Sequence, residues 1–292
     1  MKSTHALGAY AATTVFVLLW SSGAIFAKWG LEHSSAFAFL LLRFMLALGA
    51  LVLIGLYRKR LLPERGTRKR VAATGLVMIG GYSVCYLMAL DNGITPGVLA
   101  TLLGVQPILT LLLLERSFPA RRLLGLTLAL AGLVLVVLQS LLKANFSLVG
   151  IAFALGALVS VTGGAIAQKS IQQAPAQVLP LQYAVSLLLC LAVAPTQPIH
   201  FEHSISFLIP LLWLGLVISV VAQLLLYRLI RAGNLVNVTS LFYLVPVVTA
   251  VMDYLFLGNV LSGLSLLGML AILLGLGLVF RQPKVLPRTT QT

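Results

Sequence analysis

Ten apolar stretches, each long enough to cross a lipid bilayer as a helix, follow one another along the chain with charge, Gly or Pro between them. They run near 7–29, 36–57, 71–90, 96–115, 122–141, 148–169, 177–195, 205–227, 235–257 and 260–280. A helix needs about 20 apolar residues to cross the hydrocarbon core, and lipid tolerates only helices or closed barrels, whose backbone groups bond one another. Unbroken Leu, Val, Ala and Gly runs, in place of alternating ten-residue strands, select helices. With 60% hydrophobic and 9% charged residues over 292 positions, most of the surface must have lipid as its solvent. The expected fold is an all-α integral membrane protein with ten transmembrane helices.

A net charge of +14 would suggest nucleic acid in a soluble chain. Here the bases fall between apolar runs, not along one face, so no nucleic-acid partner is implied and the charge reports topology. If the spans alternate direction, 17 of the 20 Lys and Arg residues collect on one side. The other side receives Lys28 and Lys143, and Arg43 stays inside a span. The positive-inside rule then places both termini in the cytoplasm, with 281–292 as a cytoplasmic tail. An odd number of helices would destroy this asymmetry. Several connections on the outer side are short, such as Asp91 to Thr95, and only the segment around His200 to His203 has room there for more than a turn. The first stretch is too long for a signal-peptide core and is kept as a structural helix. Cys85 and Cys190 sit within apolar runs as small hydrophobes, and the chain has neither zinc nor redox spacing, so no cofactor or metal is expected.

The chain also repeats itself. Trp20-Ser-Ser-Gly-Ala-Ile-Phe-Ala-Lys28 aligns with Val161-Thr-Gly-Gly-Ala-Ile-Ala-Gln-Lys169 at an offset of 141, which also pairs Tyr86 with Tyr227. Further on, Pro107 pairs with Pro246, and the Gly125/Gly132 spacing returns at Gly268/Gly275. Five spans recur once, giving halves at 1–141 and 148–280. Because five is odd, the second half enters the bilayer from the opposite face. Such an inverted repeat can rock about one site between two states of similar energy, the basis of alternating access.

The residues Trp20-Ser-Ser-Gly, Leu-Leu-Arg43-Phe, Gly-Val-Gln106-Pro107 and Ser240-Leu-Phe-Tyr-Leu-Val-Pro246 resemble the drug/metabolite transporter superfamily, and within it the ten-helix EamA-type exporters. The resemblance runs from about residue 7 to 280. It implies a transporter of small metabolites, with amino-acid exporters as the nearest type, in a bacterial inner membrane. One departure is visible: the Gly-Glu pair that often precedes the last helix in the family reads Gly258-Asn259 here, and its first-half counterpart near Glu115 is shortened.

Arg43 lies about eight residues into its span, roughly 12 Å deep in a core of about 30 Å. An intramembrane charge costs ~2.5 kcal/mol or more, so it either faces a cavity or ties up polar groups of neighbouring helices, and both readings stand. In a site it would favour a carboxylate or phosphate. Pro107 and Pro246, near mid-span in the fourth and ninth helices, free the carbonyls of Leu103 and Phe242 and mark helix breaks or hinges, the alternative being plain packing kinks. Trp20, Ser21, Tyr82, Tyr86, Gln106, Gln223, Tyr227, Asn237 and Tyr243 could line a cavity with Arg43, or form interfacial belts. Tyr82 and Tyr86 share a helix face, as do Gln223 and Tyr227. Asp253 is either a proton-coupling group or an interfacial carboxylate. His5, His33, His200 and His203 fall in termini or loops, so no histidine relay crosses the membrane.

These features favour a transporter whose partners are a small-molecule substrate and the bilayer. Amino acids lead as cargo, with sugar phosphates, nucleotide sugars and drugs as alternatives. An intramembrane enzyme would need a catalytic constellation that the spans do not offer. A channel would need a carbonyl filter or charged ring. A scaffold would leave the internal symmetry without a role. A monomer is compatible with everything above.

Overall fold

The computed structural model describes residues 2–116, 118–142, 147–257 and 262–281. Helix dominates throughout: α1 (Lys2–Leu31), α2 (Ala36–Tyr57), α3 (Arg68–Asp91), α4 (Pro96–Leu103 and Gln106–Leu114), α5 (Ala120–Val136), α6 (Leu148–Lys169), α7 (Pro175–Val193), α8 (Ile205–Ala232), α9 (Leu235–Ser240 and Leu244–Leu257) and α10 (Gly263–Phe280). Among the described residues, nine helices are long and apolar enough to cross a membrane. The tenth, α5, has 17 residues, about 25 Å at 1.5 Å per residue, and continues past Val137 as Leu138–Leu142.

Local chemistry sets the helix ends. Thr95, Ser147, Ser204, Asn234 and Ser262 precede α4, α6, α8, α9 and α10, and each side chain accepts a backbone N–H of the first turn. After α3 the chain turns at Gly93, whose φ of 86° is open to glycine without strain. Helix α8 runs on to Ala232, past the expected end at Tyr227. The extra turn is amphipathic, with Tyr227 and Ile230 buried while Arg228 and Arg231 point outward, so charge ends the apolar run without ending the helix.

The repeat is written into the packing. Helices α5 and α10 make the most extensive contact in the molecule. A Cβ placed on Gly132 would lie 2.5 Å from the Gly268 carbonyl oxygen, and one on Gly125 would lie 2.6 Å from that of Gly275. The reverse contacts are equally close, 2.6 Å from Gly268 to Gly132 and 2.5 Å from Gly275 to Gly125. Exchanging the two halves maps this crossing onto itself, as a twofold axis requires. The third helix of each half also carries a π-helical segment, Leu76–Gly81 in α3 and Trp213–Ala222 in α8. The two segments end at positions 141 apart, the offset of the sequence repeat.

Two loop clasps join the halves, one on each face. On the face with few bases, the α1–α2 loop meets the segment before α8: Ser35 N–H donates to His200 O (2.8 Å), Glu202 N–H to His33 O (2.9 Å), and His33 Nδ1 lies 2.7 Å from Glu202 Oε2. The expected extra structure at His200 to His203 is an isolated antiparallel bridge between Ser34 and Phe201. On the basic face, Gln173 accepts from Glu64 N–H (3.1 Å) and donates to Thr67 Oγ1 (2.7 Å), while Arg70 donates to Ser170.

Candidate functional site

Arg43 projects from α2 between α7 and α8. Its Nε donates to Ser219 Oγ at 2.7 Å. Ser219 belongs to the π segment of α8, and its own carbonyl accepts the Tyr183 hydroxyl at 2.8 Å. The hydroxyls of Tyr183 and of Tyr82, on α3, lie within electrostatic range of the guanidinium. Arg43 is only half-buried although four helices surround it, whereas Ser219 and Tyr183 are buried. Its terminal nitrogens have no hydrogen bond to the described residues and are not among the sealed, unpartnered atoms. They therefore keep accessible surface, within electrostatic range of Tyr82 and Tyr183. A π turn widens the helix by one residue and is frequent at functional positions, and it sets the Ser219 hydroxyl and carbonyl at this point.

Tyr82 and Tyr86 follow the π segment of α3, half-buried, with ring centroids 5.7 Å apart. Trp20, also half-buried, forms an aromatic triad with Phe16 (5.3 Å) and Phe242 (5.4 Å), which joins α1 to the break in α9. Ser21 is buried beside it: its hydroxyl donates to Val17 O, and its carbonyl accepts Thr249 Oγ1 at 3.0 Å. Thus Trp20, Arg43, Tyr82 and Tyr86 keep accessible surface.

The other expected lining residues sit in tighter surroundings. Gln106 is 5% exposed and Gln223 8%. Tyr227 is 1% exposed, and its hydroxyl donates to Met78 Sδ at 3.6 Å, tying the two π-bearing helices together. Tyr243 is buried and donates its hydroxyl to the Gly104 carbonyl. Asn237 lies at the basic end of α9. The side chain of Asp253 and the whole of Asn259 fall outside the described residues.

Both prolines coincide with interrupted helices. Upstream of Pro107, α4 breaks at Gly104 and Val105, and upstream of Pro246, α9 passes through the 3-10 turn Leu241–Tyr243. The freed carbonyl that another helix takes up is that of Gly104, one residue beyond Leu103.

Several polar groups at the interior and the basic face escaped sequence reasoning. Ser219 and Tyr183 gave no signal as isolated residues in apolar runs. Gln182 Nε2 donates to Gln168 Oε1 at 2.9 Å, with both side chains buried. On the basic face, Arg122 Nη1 bonds both oxygens of Glu115 (2.5 and 2.6 Å), and its Nη2 bonds the amide oxygens of Asn234 and Asn237 (2.7 Å each). Asn234 Nδ2 returns a bond to Glu115 at 3.0 Å. This network links α4 and α5 of the first half to α9 of the second. The proximity of Glu115 to Arg122 in sequence was the available clue, hidden because Arg122 counted only as a topology marker. Among the described residues no three His, Cys, Asp or Glu side chains gather as metal ligands.

The family model described as EamA-like transporter family matches residues 7–138 and again 148–281. The chain belongs to the EamA-like transporter family. It is therefore a multi-pass membrane transporter of the drug/metabolite type, built from two EamA repeats. No curated protein matches the chain. A solved crystal structure of a protein superimposes with a TM-score of 0.78 at 18% identity, covering 92% of this chain and 98% of its own, a similarity of fold.

Proposed function

We propose that this EamA-family protein exports small metabolites, amino acids foremost, by alternating access around the space lined by Arg43, Tyr82, Tyr86 and Trp20. The observation that carries the reading is the Arg43 guanidinium. It is half-buried among α2, α3, α7 and α8, held by Ser219 through Nε alone, with its terminal nitrogens keeping accessible surface. That fork is preorganised for a carboxylate. The tyrosine faces beside it offer cation–π surface to an ammonium group, and Trp20 offers apolar area to a side chain. A zwitterion with an apolar substituent has complementary groups for all three.

The excess of bases on one face supports a cytoplasmic position for it, and with that an inner-membrane orientation with both termini inside. On that face the Glu115–Arg122–Asn234–Asn237 network acts as a latch between the halves, because it bridges the two elements that must part when the site opens inward. The breaks at Gly104 and Leu241–Tyr243 give α4 and α9 their hinges.

Flux from proteoliposomes loaded with labelled amino acids, sugar phosphates and lipophilic cations, with and without a pH gradient, tests the reading. Release of carboxylate-bearing substrates above empty liposomes is expected. Release of sugar phosphates alone would move the cargo to phosphate, which the same guanidinium accepts. No release of any class by folded protein would overturn the proposal.

A further inference from the structure

At the basic ends of α5, α9 and α10 lies a cavity of about 200 Å³. Arg121, Arg122 and Arg281 line it, together with Asn234, Asn237 and Phe280. Among the described residues no carboxylate stands in its wall. The nearest carboxylate in the network, Glu115, is already bonded through both oxygens to Arg122, and the amide oxygens of Asn234 and Asn237 are taken by the same guanidinium. What remains is donor capacity at the cavity wall: the Arg121 guanidinium makes one bond, from Nη2 to the Arg281 carbonyl, and the Arg281 guanidinium bonds none of the described residues. Like charges gathered around a cavity with surplus N–H groups call for an anion with several acceptor oxygens.

The position of the cavity narrows the choice. One turn from Arg121, Leu124 is 63% exposed on α5, and Phe280 on α10 is 39% exposed, so apolar, lipid-facing surface begins at the cavity rim. A ligand with a phosphate oxygen cluster and an acyl chain meets both surfaces at once. Basic pockets between transmembrane helices on the cytoplasmic side are suited to anionic headgroups, because the leaflet supplies the charge and the helices the fit.

We propose that this cavity binds a phosphate-bearing anion, of the phosphodiester kind that an anionic phospholipid presents between α5 and α10. It is separate from the Arg43 space and does not depend on the cargo assigned there.

The full chain in neutral detergent would be titrated with phosphatidylglycerol, phosphatidylcholine or inorganic phosphate, reading thermal midpoint and lipid adducts in native mass spectra. Phosphatidylglycerol is expected to raise the midpoint and leave adducts, and phosphatidylcholine to do neither. Arg121→Gln with Arg281→Gln is expected to weaken that binding about tenfold or more, the loss of charge-assisted bonds, whereas the double Lys variant keeps most of it. Should the Gln pair aggregate, Arg281→Gln alone carries the test, since that side chain is exposed. Protection by inorganic phosphate to the same extent would identify a free anion as the ligand. Equal effects of the neutral and anionic lipids, or undiminished binding by the Gln variants, would overturn the proposal. Substrate flux measured on the same variants keeps a failure here distinct from a failure of the transport reading.

Discussion

The Tyr243 hydroxyl donates to the carbonyl of Gly104, and these two residues occupy equivalent positions in the two halves, each three residues before the proline that interrupts its helix. The side chain at one break therefore fills the hydrogen-bonding gap of the other. Tyr243→Phe removes the donor while keeping the ring, and leaves a half-buried carbonyl unbonded. A loss of about 1–3 kcal/mol is expected, read as a lower thermal midpoint in detergent. An unchanged midpoint would show that the carbonyl is satisfied in another way.

At the α5–α10 crossing there is no room for a side chain. Gly132→Ala puts a methyl group 2.5 Å from the Gly268 oxygen, and that oxygen is backbone, so the helices must separate. Overpacking of this kind costs about 1–3 kcal/mol. Gly277→Ala on α10 meets nothing within 4 Å and serves as the matched control. Thermal unfolding of the pair checks the prediction, with only Gly132→Ala destabilised.

The latch can be opened without touching the Arg43 space. Glu115→Gln removes the charge from a pair whose side chains are only 20% and 14% exposed. A shift of roughly tenfold toward the inward-open state is expected, equivalent to about 1.4 kcal/mol. A cysteine placed at the buried Val236, with Cys85 and Cys190 replaced by Ser, reports it as faster labelling by an impermeant thiol reagent from the basic face. Labelling no faster than in the Glu115 parent would remove the latch role.

Glu202→Gln offers a contrast. The His33–Glu202 pair is half exposed on the Glu202 side, and its backbone clasp, Ser35 to His200 and Glu202 to His33, survives the substitution. The expected loss is below about 1 kcal/mol, checked by the same thermal measurement.

The helices, their order and the inverted repeat were legible because lipid imposes one rule on every span, and because glycine contacts and proline breaks depend on residue type more than on context. Gly125/Gly132 and Gly268/Gly275 could be paired by spacing alone, since only glycine permits backbone to touch backbone. The π segments were invisible, for a one-residue widening leaves no mark in a run of apolar residues. So were the partners of Arg43: Ser219 and Tyr183 acquire meaning only when α7 and α8 are brought beside α2. Tyr227 and Tyr243 read as cavity residues by composition, yet their hydroxyls bond Met78 and Gly104, because a buried phenol takes the nearest acceptor. Asn237 likewise looked like lining polarity, and its oxygen is held by Arg122 on the basic face.

The central claim, that Arg43 meets the carboxylate of the cargo, is tested most directly by amino-acid flux in proteoliposomes carrying wild-type protein, Arg43→Lys or Arg43→Ala. The account predicts flux well above empty liposomes for wild type, reduced flux for Lys, which keeps the charge but loses the fork, and background flux for Ala in protein that remains folded and monodisperse. Wild-type flux from folded Arg43→Ala would contradict it.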